Sequence, residues 1–314
     1  MTEKPSLIQI WLIAIRPFAL PASMMPVLFG TVMAVTVGKA MFNLSLFLLA
    51  LFSMVILHSG ANMLNDFKDF KKGLDKVPTP SSGAVVRGYI SSMSCLISAI
   101  ILLLIGSILG LIIVYYVGLP IIIIGAVGIA IGVFYSISPV ALKYHALGDL
   151  AVFLDFGILG ALGAWTVQTG AISWIPALWA VPMSILVAAI LHANNWRDIQ
   201  EDKQGGITSL ASLLGDKASH IYYGFLIFGA FGFILLLLIL TRIVIRPSMP
   251  FTFLITLLSF PLAVKLMRQG KMRAVAENRF NFLKLDAGTA KLNLVFSLLC
   301  TAAILLQGII DRQF

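Results

Sequence analysis

The stretch ISSMSCLISAIILLLIGSILGLIIVYYV, from Ile90 to Val117, contains no charged residue. It is longer than the roughly 20 apolar residues with which a helix crosses about 30 Å of hydrocarbon, so it predicts a transmembrane helix. Eight further runs of similar apolar character occur along the chain. They are Phe18–Val37, Leu44–Leu64, Leu119–Ile137, Leu147–Val167, Trp174–Ala193, Ala218–Leu240, Pro250–Leu266 and Thr289–Ile310.

The overall composition agrees with this reading of the apolar runs. Of the 314 residues, 60% are hydrophobic and only 11% are charged, and the mean hydropathy is +1.01. These values exclude a soluble globular enzyme, a disordered chain and a DNA-binding protein. The two cysteines, Cys95 and Cys300, both lie inside apolar runs, which indicates neither a disulfide framework nor a zinc cluster. We therefore predict an all-α, polytopic membrane protein with nine transmembrane helices.

The distribution of Lys and Arg predicts the orientation of these helices. Nine crossings place 18 of the 22 basic residues on the N-terminal side of the membrane and 4 on the opposite side. Basic loops stay in the cytoplasm, so the N-terminus and the loops after the even-numbered spans are predicted to be cytoplasmic and the C-terminus external. The net charge of +9 follows from this asymmetry. The positive charge is therefore explained by insertion into a lipid bilayer, and no nucleic-acid partner is predicted.

Two segments at the ends of the second and sixth predicted spans look alike. One reads NMLNDFKDFKKGLD, from Asn62 to Asp75, and the other reads HANNWRDIQEDKQGG, from His192 to Gly206. If each span continues as a helix into its loop, residues three or four positions apart share one face. The residues so spaced are Asn62, Asp66 and Asp69 in one segment and Asn195, Asp198 and Asp202 in the other.

This duplication predicts an internal repeat inside a single membrane domain that covers residues 1–314. The halves are four-helix units at about 18–137 and 147–266, and a ninth helix follows at about 289–310. Ordinary solvated loop charges are the alternative explanation, but they do not require the same Asn and Asp stripe twice at equivalent positions.

Paired carboxylates of this kind suit a hard cation. Mg²⁺ binds carboxylate oxygens together with the phosphate oxygens of a substrate, so two facing clusters would leave a gap for a metal–diphosphate. The candidate metal ligands are Asp66, Asp69, Asp198 and Asp202, with Asp75 as a weaker candidate.

At these residues the sequence resembles the UbiA superfamily of intramembrane prenyltransferases. The segment Asn65–Asp69 matches the first aspartate-rich motif of that family, and Asp198–Asp202 matches the second. The acid in KKGLDK, Asp75, and the stretches SSGAVVRG (Ser81–Gly88) and YSISPVALKYHALGD (Tyr135–Asp149) are similar to the branch that prenylates 1,4-dihydroxy-2-naphthoate.

The chain departs from that branch after the second motif. Ile207 and Ser209 stand there where the branch usually has a basic residue and a Thr.

The resemblance implies a fold and a reaction. The fold is nine transmembrane helices around a central cavity with a cytoplasmic cap, in a bacterial or archaeal cell membrane. The reaction transfers a polyprenyl group from a polyprenyl diphosphate to an aromatic acceptor, with Mg²⁺ as cofactor. For the similar branch the acceptor is 1,4-dihydroxy-2-naphthoate, which loses its carboxyl group and gives demethylmenaquinone.

Further residues are candidates for substrate contacts. Arg87 and Lys143 are catalytic candidates because cations neutralise a departing diphosphate. Asp155 lies inside the fifth span, where an acid is a candidate functional residue by default. The remaining substrate-binding candidates are Asn65, Asn195, Arg197, Lys203, Tyr135 and Tyr144.

Other functions remain open from the sequence. Within the same class, the acceptor could be 4-hydroxybenzoate, homogentisate or another naphthoate. A cation-coupled transporter also combines internal repeats with paired acids, but transporter acids usually lie near the bilayer midplane. Here the acids lie at the ends of spans. A purely structural membrane subunit would leave the doubled motif unexplained.

The predicted orientation can be measured by cysteine labelling of intact cells. In a chain without its native cysteines, Lys76→Cys should be inaccessible to a membrane-impermeant thiol reagent, and Gln313→Cys should react. The physical reason is the 18-to-4 distribution of basic residues. Labelling of Lys76→Cys in sealed cells would invert the topology.

Overall fold

The computed structural model describes residues 5–73, 83–137, 139–274 and 282–313. Within these ranges the chain is helical and forms no strand; an isolated bridge joins His145 to Thr208. The prediction of an all-α fold is confirmed. Asp75, Ser81 and Lys76 lie outside the described residues.

Eleven helices follow one another along the described chain. They are α1 (Leu7–Ile15), α2 (Pro21–Thr36), α3 (Leu44–Lys71), α4 (Ser92–Val117), α5 (Leu119–Phe134), α6 (Gly148–Thr169), α7 (Trp174–Arg197), α8 (Ile199–Gln204), α9 (Leu210–Ile243), α10 (Phe251–Arg273) and α11 (Leu285–Gln313). Three of them depart from α-helical geometry: α6 contains a π-helical segment at Phe153–Leu159, α9 is kinked at Gly215 (φ 71°, ψ 177°), and α10 begins with 3-10 turns at Phe251–Ser259. A single 3-10 turn, Leu142–Tyr144, lies between α5 and α6.

Seven of the described helices are long and apolar enough to cross a membrane: α3, α4, α6, α7, α9, α10 and α11. The helices α2 and α5 are also apolar, but each has 16 residues. At about 1.5 Å per residue they reach only about 24 Å. The chain is thus an integral membrane protein with several spans, and the count of nine crossings stays a prediction.

Helix α3 continues well beyond its predicted end. The apolar run stops at Leu64, but the helix extends to Lys71 and therefore carries the first motif on a regular helical face. The second motif is different. Helix α7 ends at Arg197, Asp198 has the non-helical angles φ −98° and ψ 15°, and α8 begins at Ile199. The expectation of one continuous helix through the second motif is therefore wrong.

Small residues bring the helices α2, α6 and α7 close together. A Cβ on Gly30 of α2 would lie 2.2 Å from the carbonyl oxygen of Ala161 on α6, and a Cβ on Gly157 of α6 would lie 1.9 Å from Oγ of Ser184 on α7. Such contacts hold transmembrane helices together where lipid removes the hydrophobic drive for association. The helices α2, α6 and α7 consequently form a tight wall.

The two loops that follow α5 and α8 pair with each other through their backbones. The amide of Ala146 donates to the carbonyl of Thr208 at 2.7 Å, and the amide of Thr208 donates to the carbonyl of Tyr144 at 3.3 Å. The side chains of Ala141, Tyr144 and Ile207 form a small buried cluster beside this pairing. These loops make a cap at the end of the bundle where both aspartate motifs lie.

Candidate active site

A cavity opens beneath this cap, with an empty volume of about 960 Å³. We call it the polar cavity because charged and amide side chains surround its mouth. The polar side chains that line it are Arg16, His58, Asn62, Asn65, Tyr135, Lys143, Asp155, Asn194, Asn195 and Asp286. They come from α3, α6, α7, α11 and the segments that follow α1 and α5, so residues far apart in sequence meet here.

The first motif places two buried carboxylates on α3. Asp66 is 2% exposed and forms an ion pair with Arg16, which ends α1 in a left-handed conformation at φ 56°. Asp69 is 5% exposed; it forms an ion pair with Lys143 and accepts a hydrogen bond from the Tyr144 hydroxyl at 3.1 Å. Each acid of this motif is thus neutralised by a cation from another segment.

Lys143 joins the acid of this motif to its amide. Besides pairing with Asp69, its Nζ donates to Oδ1 of Asn65 at 2.9 Å. The same amide oxygen accepts a hydrogen bond from the Ser136 hydroxyl at 3.1 Å. The loop after α5 therefore fixes Asn65, which lines the cavity, and Asp69, which lies one helical turn further along α3.

The second motif is organised around Arg197. Its guanidinium binds both carboxylate oxygens of Asp198, with Nε–Oδ1 at 2.7 Å and Nη2–Oδ2 at 2.9 Å. Its remaining nitrogen, Nη1, donates to Oδ2 of the buried Asp286 on α11 at 2.7 Å. Arg197 thereby connects the second motif to the last helix.

Asp202 lies on α8 and accepts a hydrogen bond from the Ser209 hydroxyl at 2.7 Å. Burial raises the pKa of Asp202 to about 6, although the Ser209 hydrogen bond and the charge of Lys143 act in the opposite direction. The negative charge of Asp69 also raises this pKa. The charges of Lys143 and Asp69 therefore act on Asp202, which indicates that the two motifs lie near each other.

Asn195 is positioned by a buried polar chain between α6 and α7. Its amide nitrogen approaches Oδ1 of Asp149 at 3.5 Å, and the other oxygen of Asp149 lies 3.1 Å from Nδ1 of His192. Asp149 and His192 are both buried. Asp149 lies near the start of the fifth predicted span, and it contacts His192 and Asn195 on the face of α7 that leads into the second motif.

The donor set fits a hard divalent cation by its chemistry. The motif acids supply carboxylate oxygens of the kind that Mg²⁺ prefers, and Oδ2 of Asp66 is buried without a hydrogen-bond partner among the described residues. Among those residues no three His, Cys, Asp or Glu side chains form a ready-made metal cluster. Cations from other segments neutralise Asp66 and Asp69 instead, and the adjacent Arg197 neutralises Asp198.

The remaining predicted residues divide into two groups. Tyr135 and Asp155 line the polar cavity. Arg87 and Lys203 are exposed and do not line that cavity. The roles predicted for Arg87 and Lys203 are therefore not supported by a cavity position.

Sequence reasoning missed Arg16 and Asp286. Each was visible only as an isolated charge at the edge of an apolar run, and neither belongs to a motif. Their partners, Asp66 and Arg197, lie 50 and 89 residues away along the chain. A local pattern could not have identified them.

A second cavity continues from the polar one between α3, α4, α5 and α6. It has an empty volume of about 980 Å³. We call it the apolar cavity because its wall consists mainly of aliphatic side chains such as Met54 and Leu57 on α3. His58, Asp155 and Phe156 line both cavities, so the polar mouth and the apolar interior meet at these residues.

A helical membrane bundle with paired carboxylates at the mouth of a partly apolar cavity defines a class of intramembrane enzyme that handles lipid-like substrates. The chain matches the UbiA prenyltransferase family over residues 23–285 and belongs to that family. It is 31% identical over 307 residues to UbiA prenyltransferase domain-containing protein 1 of Danio rerio, covering 94% of this chain and 84% of that protein.

Two solved structures share the fold. One is the apo form of a UbiA homologue from Aeropyrum pernix K1, with a TM-score of 0.62, 18% identity, and coverage of 97% of this chain and 99% of that one. The other is a UbiA homologue from Archaeoglobus fulgidus bound to GPP and Mg²⁺, with a TM-score of 0.58, 15% identity, and coverage of 93% and 99%.

The predicted family is confirmed by these comparisons, and the narrower branch is not. The relative from Danio rerio is a UbiA prenyltransferase domain-containing protein 1 from a eukaryote. It therefore supports neither the assignment to the dihydroxynaphthoate branch nor a prokaryotic source. The branch and the bacterial or archaeal cell membrane stay predictions.

The two lysines predicted as substrate contacts can be separated by substitution. Lys143→Met removes the cation that joins Asp69 to Asn65 and should lower the rate of prenyl transfer by about 10²–10³-fold. Lys203→Met is the matched control; because Lys203 is exposed, the rate should change by less than about threefold. Steady-state turnover of both purified variants measures this, and equal losses would refute the separation.

Proposed function

We propose that this prenyltransferase transfers a polyprenyl group from a prenyl diphosphate to an aromatic acceptor inside the membrane, with Mg²⁺ as cofactor. The observation that carries the proposal is one cavity whose polar mouth is lined by Asn65 and Asn195, one from each motif, and whose continuation is apolar. Arg16 and Lys143, the ion-pair partners of Asp66 and Asp69, line the same mouth. A diphosphate attached to a hydrocarbon chain has this same polarity along its length. The homologue from Archaeoglobus fulgidus, which binds GPP and Mg²⁺, supports the proposal.

The polar mouth would hold the diphosphate. Asp66, Asp69, Asp198 and Asp202 would bind Mg²⁺, with Asp75 as a further candidate. When bound, Mg²⁺ would neutralise charge on the diphosphate as it leaves. Binding of the metal by these acids would make their present cations available to phosphate oxygens, and those cations are Arg16, Lys143 and Arg197.

The amides of both motifs would complete the diphosphate site. Asn65 lies beside Lys143 on the first motif, and Asn195 lies beside Asp149 on the second. An Arg fork such as that of Arg197 can bind two oxygens of one phosphate. The polar cavity therefore has donors on opposite walls to orient the leaving group.

The apolar cavity would hold the polyprenyl chain and keep water from the reacting carbon. An allylic cation that forms when diphosphate leaves reacts with any water it meets, so a dry wall favours capture by the acceptor. Phe156 lines both cavities, and Tyr135 lines the polar one. An electron-rich ring beside such a cation stabilises it.

The arrangement of the chain also belongs to this proposal. We propose one domain with two four-helix halves, because α3 and α7 each end in an Asn and Asp motif that contributes to one site. The predominance of basic residues at that end of the bundle supports a cytoplasmic cap.

The proposed acceptor is 1,4-dihydroxy-2-naphthoate, with loss of carbon dioxide to give demethylmenaquinone. This choice rests on the resemblance of KKGLDK, which contains Asp75, and of Ser81–Gly88 to the corresponding branch.

Removal of one acid from each motif tests whether both serve one metal–diphosphate site. Asp66→Asn and Asp198→Asn should each reduce turnover by about 10²–10³-fold or more, since each removes a charge that the leaving group requires. The double variant should be little slower than either single one, because residues that act as a unit are not additive. Initial rates with a radiolabelled prenyl diphosphate and Mg²⁺ provide the measurement.

Two controls accompany this test. Excess chelator should bring the unaltered enzyme to the same residual rate. Asn has nearly the volume of Asp, so thermal unfolding in detergent should show that all three variants remain folded. Substantial turnover by either single variant, or full activity in excess chelator, would exclude the two-motif site.

A panel of acceptors tests the proposed substrate. With a prenyl diphosphate and Mg²⁺, 1,4-dihydroxy-2-naphthoate should be prenylated with release of carbon dioxide, and 4-hydroxybenzoate should react at least about tenfold more slowly. Labelled carbon dioxide and extracted quinol product are the measurements. Faster reaction of 4-hydroxybenzoate would overturn the acceptor and leave the prenyl transfer in place.

A further inference from the structure

Asp155 lies at the boundary between the two cavities, on an irregular part of α6. It belongs to the π-helical segment Phe153–Leu159, and its side chain lines both the polar and the apolar cavity. Single π-helical turns inside α-helices frequently mark functional sites, because they turn a side chain away from its regular position. This acid therefore faces the space that the substrates would share.

The carboxylate faces a smooth part of α5. A Cβ on Gly128 would lie 3.0 Å from Oδ1 of Asp155, and a Cβ on Gly132 would lie 3.9 Å from Oδ2. No hydrogen bond or ion pair joins Asp155 to any part of the chain that the structure describes. A carboxylate at membrane depth is costly unless it is paired, so a ligand is the natural source of its partner.

The prenyl diphosphate is not a suitable partner. Its chain has no hydrogen to donate, and its anionic end would repel a carboxylate. The remaining candidate partner is a hydrogen-bond donor on the aromatic acceptor, and the position of Asp155 along α6 agrees with this. Asp155 lies six residues beyond Asp149 on α6, about 9 Å along the helix axis. Asp149 contacts Asn195 of the second motif, so Asp155 lies deeper in the bundle than that motif, where the apolar cavity begins.

A second titratable group on the shared wall is already engaged. Nδ1 of His58 lies 2.9 Å from the hydroxyl oxygen of Ser23 on α2, and the ring of His58 lies 4.2 Å from that of Phe156. The neighbouring rings of Phe156 and His58 thus line the cavity wall together with Asp155.

We propose that Asp155 binds a hydroxyl group of the aromatic acceptor and takes up its proton as the ring attacks; this inference rests on the function proposed above. The O–H bond breaks and its electron pair becomes a ring C=O bond. The displaced ring π pair forms the new C–C bond to the first prenyl carbon, and the pair of the breaking C–O bond leaves with diphosphate.

The aromatic ring is then restored without another reactant. The prenylated ring carbon loses carbon dioxide, the pair from that bond re-forms the ring, and the ring oxygen takes the proton back from Asp155. Each proton and electron pair is accounted for, and no oxidant or reductant is required.

The test compares Asp155→Asn and Asp155→Ser with the unaltered enzyme. Asp155→Asn has almost the same volume and can still accept a hydrogen bond, but it is a far weaker base. Asp155→Ser guards against a defect peculiar to the amide. Thr166→Val is the matched control on the same helix, because the Thr166 hydroxyl is bonded to the carbonyl of Leu162 and lines neither cavity.

The acceptors are 1,4-dihydroxy-2-naphthoate and its two monomethyl ethers. With the diol, both Asp155 variants should lose about 10²-fold or more in kcat/KM for the acceptor, as expected for a lost proton acceptor. Their KM for the prenyl diphosphate should stay within about threefold. Thr166→Val should match the unaltered enzyme in both parameters.

The methyl ethers separate a direct contact from a structural effect. The ether that blocks the contacted hydroxyl should be a poor acceptor for the unaltered enzyme, and Asp155→Asn should make it no worse, because the contact is already lost. Full additivity of the two losses, an unchanged kcat/KM in the Asp155 variants, or a parallel rise in KM for the prenyl diphosphate would overturn the inference.

Failure of the proposed function would look different. If the unaltered enzyme prenylates another hydroxylated aromatic compound, the same comparison applies to that compound and its methyl ether. If it prenylates a compound that has no hydroxyl group, the role of Asp155 is overturned although prenyl transfer stands. If it prenylates no aromatic compound, both the proposed function and this inference are wrong.

Discussion

The need to neutralise carboxylates at the ends of apolar helices governs this structure. An unpaired buried charge is costly, so each acid of the two motifs has a cationic or hydrogen-bonding partner. The pairs are Asp66 with Arg16, Asp69 with Lys143, Asp198 with Arg197 and Asp202 with Ser209. These contacts fix the segment after α1, the cap loops and the start of α9 around one cavity. The shape of the site is thus largely a consequence of its charge balance.

The same balance bears on ligand binding. Mg²⁺ and diphosphate would compete with and replace the internal pairs, so much of the attraction of the acids for a metal is offset by separating them from Arg16, Lys143 and Arg197. Those cations would not be lost to the site, since under the proposed function phosphate oxygens would become their new partners. The buried charges would then stay paired both with and without substrate.

The sequence predicted what depends on local periodicity. The Asn and Asp stripe of the first motif follows helical spacing, and α3 does continue as a helix to Lys71. The prediction for the second motif was wrong because Asp198 leaves helical geometry to receive the fork of Arg197. The partnership of Arg197 with Asp286 depends on the packing of α7 against α11, and the π-helical turn at Asp155 depends on tertiary contacts. Neither leaves a pattern in neighbouring residues.

The pairing between the two cap loops constrains how such a chain can vary. The bonds of Ala146 and Thr208 run through backbone atoms, so they depend on no particular side chain, although the left-handed φ of 59° at Ala146 disfavours branched residues there. Loop length is another matter. On one side of the pairing the Tyr144 hydroxyl donates a hydrogen bond to Asp69, and on the other side the Ser209 hydroxyl donates one to Asp202. One residue inserted into either loop would shift the backbone pairing between the two loops. The hydrogen bond to Asp69 or the one to Asp202 would then be lost. Tolerance to substitution and intolerance to insertion should therefore coexist at the same few positions.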